Sequence, residues 1–137
     1  IETFDIVLAR IESRLQQDSQ LSSGDYRVLL ALSETEGKAL RSSKLAARIE
    51  WERSRLSGQL GRMTKRGLVR REPCEEDARG SRVVLTDEGE RVFRASTVPH
   101  FQAIKDIFVD AFTPQQLAQL GETVAAMRHH LGLDDRQ

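Results

Sequence analysis

Apolar positions recur at helical spacing at both ends of the chain. Ile1, Phe4, Leu8, Ile11 and Leu15 alternate at intervals of three and four, which predicts a helix over residues 1–15 with a narrow seam to bury. Leu117, Leu120, Val124, Met127 and Leu131 repeat that alternation near the other end, behind a marked start: Thr113 as N-cap, Pro114 at the first helical position, Gln116 closing a capping box, and Phe112 with Leu117 as a hydrophobic staple. A second start lies in "LSSGDY", where Ser22 caps, Asp25 answers it and Leu21 staples to Tyr26, predicting a helix over about 23–36.

Gly37 ends that helix, Ala39 and Leu40 allow a very short strand, and Ser42 or Ser43 is the expected cap of a helix reaching Ile49. A break at Glu50 and Trp51 precedes "ERSRLSGQLGRMTKRG", helical with Leu56, Leu60 and Met63 inward. That is a helix-turn-helix. Gly67 stops the second helix, and "LVRREP" and "SRVVLT" read as a hairpin joined by "CEEDARG". Thr86 caps a long helix over 87–111, expected to kink at Pro99.

This order predicts a mainly α protein, an α+β winged helix-turn-helix with a two-stranded β-wing and added terminal helices. The expected division is 1–20 as an N-terminal dimerisation helix, 21–90 as the winged helix-turn-helix and 91–137 as C-terminal dimerisation helices, all in one compact domain. A winged core is too small to cover the terminal seams, so a two-fold homodimer is expected. The alternative is a monomer whose terminal helices fold back on their own core.

Charge sharpens the picture where the totals hide it. The net charge is +0, yet residues 41–82 hold 12 Lys or Arg against 6 Asp or Glu, leaving 9 against 15 elsewhere. A basic middle between acidic flanks is the footprint of a phosphate-contacting surface. Aromatics make up only 5% of the chain, so the core must be aliphatic. With no apolar run of membrane-spanning length and no signal-peptide pattern, the expected compartment is the cytoplasm. A single cysteine, Cys74, forms no intrachain disulfide, in keeping with a reducing environment. The chain begins at Ile1 rather than Met, so residues upstream of it are to be expected.

"LGRMTKRGLVRRE", "EEDARGSRVV" and "LTDEG", in that order and spacing, resemble the multiple antibiotic resistance regulator (MarR) family of winged-helix transcription factors over nearly the whole chain. The resemblance implies a bacterial dimer, most often a repressor, on a near-palindromic operator, released by a small, often aromatic, ligand. On such a helix the N-terminal half reads base edges in the major groove, which here selects Ser54, Arg55, Ser57 and Gln59. Arg62 and Lys65 are placed for phosphates, with Ser42 and Ser43 at the preceding helix start adding hydroxyl and N–H contacts. Arg79 at the hairpin tip is expected in the minor groove, oriented by Asp77, with Gly80 permitting the reversal and Arg82 adding a phosphate contact.

Other residues support weaker roles. The family's ligand cavities make Tyr26, Trp51 and His100 candidate effector contacts, although Trp51 is also a natural packing residue. Cys74 is flanked by Glu72, Glu75 and Glu76, which disfavour a thiolate, and is read as a bystander. Adjacent His129 and His130 project about 100° apart and chelate poorly, so no metal and no cofactor are expected. No phosphate loop, His-Glu-x-x-His or nucleophile elbow is present, which argues against an enzyme. The competing class is a winged helix whose basic face docks an acidic protein partner.

Overall fold

The computed structural model describes residues 1–74 and 80–134. Its first helix, α1 (Glu2–Ser19), lies against the long helix α5 (Asp87–Ile107), and Arg14 reaches Asp106 at 3.6 Å. Between them come α2 (Ser23–Ser33), β1 (Ala39–Arg41), α3 (Ser42–Ile49), α4 (Arg53–Lys65), β2 (Val69–Pro73) and β3 (Ser81–Leu85). The last helix, α6 (Pro114–His130), buries none of its residues within the single chain.

Both capping boxes form. The Ser22 hydroxyl accepts the Asp25 N–H and the Asp25 carboxylate accepts the Ser22 N–H, each at 3.0 Å, while Thr113 and Gln116 exchange the same pair at α6. The break between α3 and α4 is a left-handed stop: Glu50 has φ 57°, and the Trp51 N–H reaches back to the Ala46 carbonyl at 3.0 Å. This short turn sets α4 across α3.

Several boundaries differ from the sequence pattern. α2 stops at Ser33, because the Ser33 and Thr35 hydroxyls bond back to the Leu30 and Ala31 carbonyls and a 3-10 turn over Glu36–Lys38 follows. The expected serine cap of α3 does not form: Arg41 holds the cap position with no side-chain bond, and Ser42 and Ser43 are the first two helical residues. The wing hairpin forms from β2 and β3, and the short strand expected at Ala39 and Leu40, β1, pairs antiparallel with β3 on the side opposite β2, giving a three-stranded sheet in the order β1-β3-β2. α5 ends at Ile107 rather than Ala111, with a 3-10 turn over Val109–Ala111, and the helix continues through Pro99.

The core gathers Leu15, Leu21, Val28, Leu29 and Leu32 with Leu45, Leu56, Leu60, Met63, Val69 and Val83, and it is aliphatic as composition requires. The "LTDEG" stretch explains how α5 leaves the sheet. The Thr86 hydroxyl donates to the Gly67 carbonyl at 2.5 Å and accepts the Gly89 N–H at 2.9 Å. A β-carbon on Gly89 would lie 2.0 Å from the Leu68 carbonyl oxygen, so only glycine lets the helix start this close to the strand.

Candidate nucleic-acid interface and the adjoining cavity

Helical periodicity divides α4 into three faces. Leu56, Leu60 and Met63 enter the core. Arg55, Gln59, Arg62 and Arg66, spaced four, three and four apart, form an inner polar row. Ser57, Gly61 and Lys65, each four apart, form an outer row that is exposed, with Ser54 and Arg53 beside it.

The inner row is occupied by protein contacts. Gln59, expected to read bases, is 7% exposed, and its Nε2 donates to Asp25 Oδ1 at 2.6 Å. Asp25 is itself buried, and its Oδ2 accepts from Arg66 Nη1 at 2.7 Å, while Arg66 Nη2 donates to the Gln20 carbonyl at 2.5 Å. One buried carboxylate thus grips α4 at two points two turns apart. Gln59 therefore fixes the helix and is not available on its outer face. Arg62 follows it inward, donating to Gln59 Oε1 at 3.2 Å. Arg55 is exposed but lays its guanidinium over Trp51, its Cζ lying 4.0 Å from the ring centroid.

The outer face opens onto a cleft of about 240 Å³ where the starts of α3 and α4 meet the wing strands. Arg41, Arg53 and Arg71 line it with Ser42, Ser43, Ser57, Gly80 and Ser81, and no carboxylate is among the described lining residues. Three guanidiniums beside two helix N-termini attract an anion, since helix N-termini carry unpaired N–H groups and a partial positive charge. Arg41, Arg53 and Arg71 were not singled out from sequence; their common signal is that each sits at or just before the start of an element or on the exposed side of a strand. Arg82 stands on β3 opposite Glu72 and lies 3.6 Å from its carboxylate, which also accepts from Arg70 at 3.2 Å. Asp77 and Arg79, with Glu75 and Glu76, lie outside the described residues.

The three effector candidates come together. Tyr26, Trp51 and His100 line a cavity of about 390 Å³ with Leu8, Ile11 and Leu15 of α1, and Arg55 closes one side. The Tyr26 and His100 rings lie 4.4 Å apart between centroids, and Tyr26 also meets Phe93 at 5.4 Å. Trp51 Nε1 and His100 Nδ1 are buried without a hydrogen-bond partner among the described residues. Burial lowers the His100 pKa below the usual imidazole value, and burial, with the nearby Glu34 charge second, raises that of the Tyr26 phenol. Among the described residues no group of His, Cys, Asp or Glu gathers as metal ligands do; His129 instead contacts Asp134 at 2.6 Å. No helix among these residues is long and apolar enough to cross a membrane.

This arrangement has counterparts of known family. A model of the MarR family matches residues 19–80. AbsC, a MarR family transcriptional regulator from Streptomyces coelicolor, is 35% identical, with 95% of this chain and 87% of that chain covered and a TM-score of 0.83. Sco3205, a MarR family transcriptional regulator from the same organism solved in complex with DNA, is also 35% identical over 95% of this chain and 82% of its own, with a TM-score of 0.84. Sco5413, again from S. coelicolor, shares the fold at 19% identity and a TM-score of 0.84. Among curated proteins none matches. The chain belongs to the MarR family of transcriptional regulators, and it is a regulator rather than an enzyme.

Proposed function

We propose that the protein acts in the cytoplasm as a homodimer that binds a near-palindromic duplex DNA site and represses transcription there until a small aromatic effector releases it. The cleft of Arg41, Arg53 and Arg71 carries the reading: three cations and two helix starts, with no carboxylate among the described lining residues, suit backbone phosphate. Ser42 and Ser43 add donors at the α3 start. Ser54 and Ser57 face outward where base edges would lie, with Lys65 beside a phosphate further along. Arg79 and Asp77 at the wing tip, with Arg82 at its base, complete the surface on the minor-groove side. That Sco3205 was solved in complex with DNA supports this reading.

Dimerisation follows from where apolar surface is left. All nine exposed large hydrophobics among the described residues belong to α1, α5, α6 or the residues flanking them, among them Phe4, Leu8, Phe101 and Met127. A second copy of the chain would cover them and hold two α4 helices about 34 Å apart for successive major grooves. Leu8 belongs both to this surface and to the Tyr26–Trp51–His100 cavity, so an effector there would act on helix spacing.

Selection of bound duplexes from a random pool tests the proposal. A palindromic motif is expected, and Arg53→Ala and Arg71→Ala should each weaken binding to all duplexes and reduce the salt slope by about one. Sedimentation should give a dimer that Phe4→Lys with Met127→Lys dissociates. Affinity that ignores both salt and sequence would favour the protein-interaction module instead.

A further inference from the structure

Arg55 stands on the DNA-facing helix of the proposed reading, yet its guanidinium faces the other way. Its Cζ lies 4.0 Å from the Trp51 ring centroid, and the two residues together line both the aromatic cavity and the polar pocket beside it. Among the described residues no carboxylate pairs with it, the neighbouring Glu12 being engaged by the Ser23 N–H and hydroxyl. Further along, α4 is clamped: Gln59 and Arg66 hold Asp25, and α2 is wedged so closely that a β-carbon on Gly24 would meet Gln59 Oε1 at 2.8 Å and Trp51 at 3.0 Å. Beyond that clamp, the first turn of α4, where Ser54 and Ser57 lie, meets the cavity wall through the Arg55–Trp51 stack, the polar side-chain contact of that turn found among the described residues.

We propose that Arg55 is a positioning residue that couples the aromatic cavity to the recognition helix. Stacked on Trp51, it joins the first turn of α4 to the cavity wall, so seating that turn on duplex DNA and filling the cavity both act on one contact. The coupling is reciprocal by thermodynamic necessity: whatever loosens the stack from the cavity side weakens the placement of Ser54 and Ser57, and DNA that draws α4 outward alters the surroundings of Trp51. This inference rests on the proposed DNA binding, and it takes Arg55 out of the set of base readers.

Trp51 is the single tryptophan of the chain, so intrinsic emission reports on the contact directly. The experiment titrates the full chain with a duplex recovered from the pool, following tryptophan emission and, separately, the anisotropy of the labelled duplex. In the free protein, Arg55→Ala should increase acrylamide quenching of Trp51. On adding duplex, parent emission should change along the anisotropy curve. Arg55→Ala should bind within about fivefold of the parent, the scale of one exposed cation–π contact, with emission that no longer responds. Arg55→Lys should keep part of the response, because an ammonium retains the charge but not the planar stack. Parent emission that stays constant while anisotropy reports binding overturns the coupling and leaves the DNA reading intact. So does a loss of about tenfold or more in Arg55→Ala confined to one base position, which would make Arg55 a reader after all. A parent that binds no duplex removes the DNA reading, and the coupling with it.

Discussion

Replacing Gly61 with alanine should make the protein more stable and a poorer DNA binder at once. Gly61 lies in the interior of α4, in the outer row with Ser57 and Lys65, and a β-carbon added there meets nothing within 4 Å. Folding alone therefore gives no reason for glycine. Alanine in an exposed helix interior is favoured by about 1 kcal/mol, partly by restricting the unfolded chain. For a domain of this size that gain raises the melting temperature by about 3–5 °C. The same methyl would stand on the face proposed to enter the major groove, between a candidate base contact and a candidate phosphate contact. Forcing the helix outward there should cost about 1–3 kcal/mol, the scale of one disturbed base contact, or roughly 5- to 150-fold in affinity. Thermal unfolding and duplex anisotropy on the same preparation measure both signs. A variant that melts higher and binds its selected duplex as tightly as the parent would refute the placement of this row on DNA.

Two further outcomes follow from the buried network and the cavity. Asp25→Ala strands the Gln59 amide and leaves Arg66 held by the Gln20 carbonyl alone, and should cost about 2–4 kcal/mol in denaturant unfolding; an unchanged midpoint would show that the grip on α4 is not the one described. His100 titrates below the usual imidazole value when folded, so below that usual value the unfolded chain binds the extra proton first. Stability should accordingly fall as pH drops below about 6.5, and His100→Phe should flatten the curve in unfolding series between pH 5 and 7.5.

What could be read from the chain was whatever is decided locally. The capping boxes at Ser22 and Thr113, the stop at Glu50 and the aliphatic periodicity of α4 each depend on residues within a turn or two, and each forms. The misread features depend on distant partners. Gln59 looks like a surface residue because its neighbours are Gly58, Leu60 and Gly61; only Asp25, thirty-four positions earlier, makes it internal. Ser42 and Ser43 are good caps by type, but β1 pairing with β3 carries the strand through Arg41 and leaves the helix to start one residue sooner. The arginine cleft has three contributors from three elements and no motif. The inner row was legible in principle, since Arg55, Gln59, Arg62 and Arg66 share one face, had that face been weighed against the outer one.

The first turn of α2 ties the two proposed sites together more firmly than their separation in sequence suggests. Asp25 faces α4 and holds it through Gln59 and Arg66, while Tyr26, the next residue, lines the cavity and packs at a tilt against the His100 and Phe93 rings of α5. Adjacent residues on a helix point about 100° apart, so one turn presents a carboxylate to α4 and a ring to the cavity. Because the capping box spends the Asp25 carboxylate on the Ser22 N–H as well, turning Asp25 away from α4 stretches its bonds to Gln59 and Arg66. On the proposed function, an effector that displaced Tyr26 would load the same turn that anchors α4 through Asp25, a route to α4 that does not pass through Arg55.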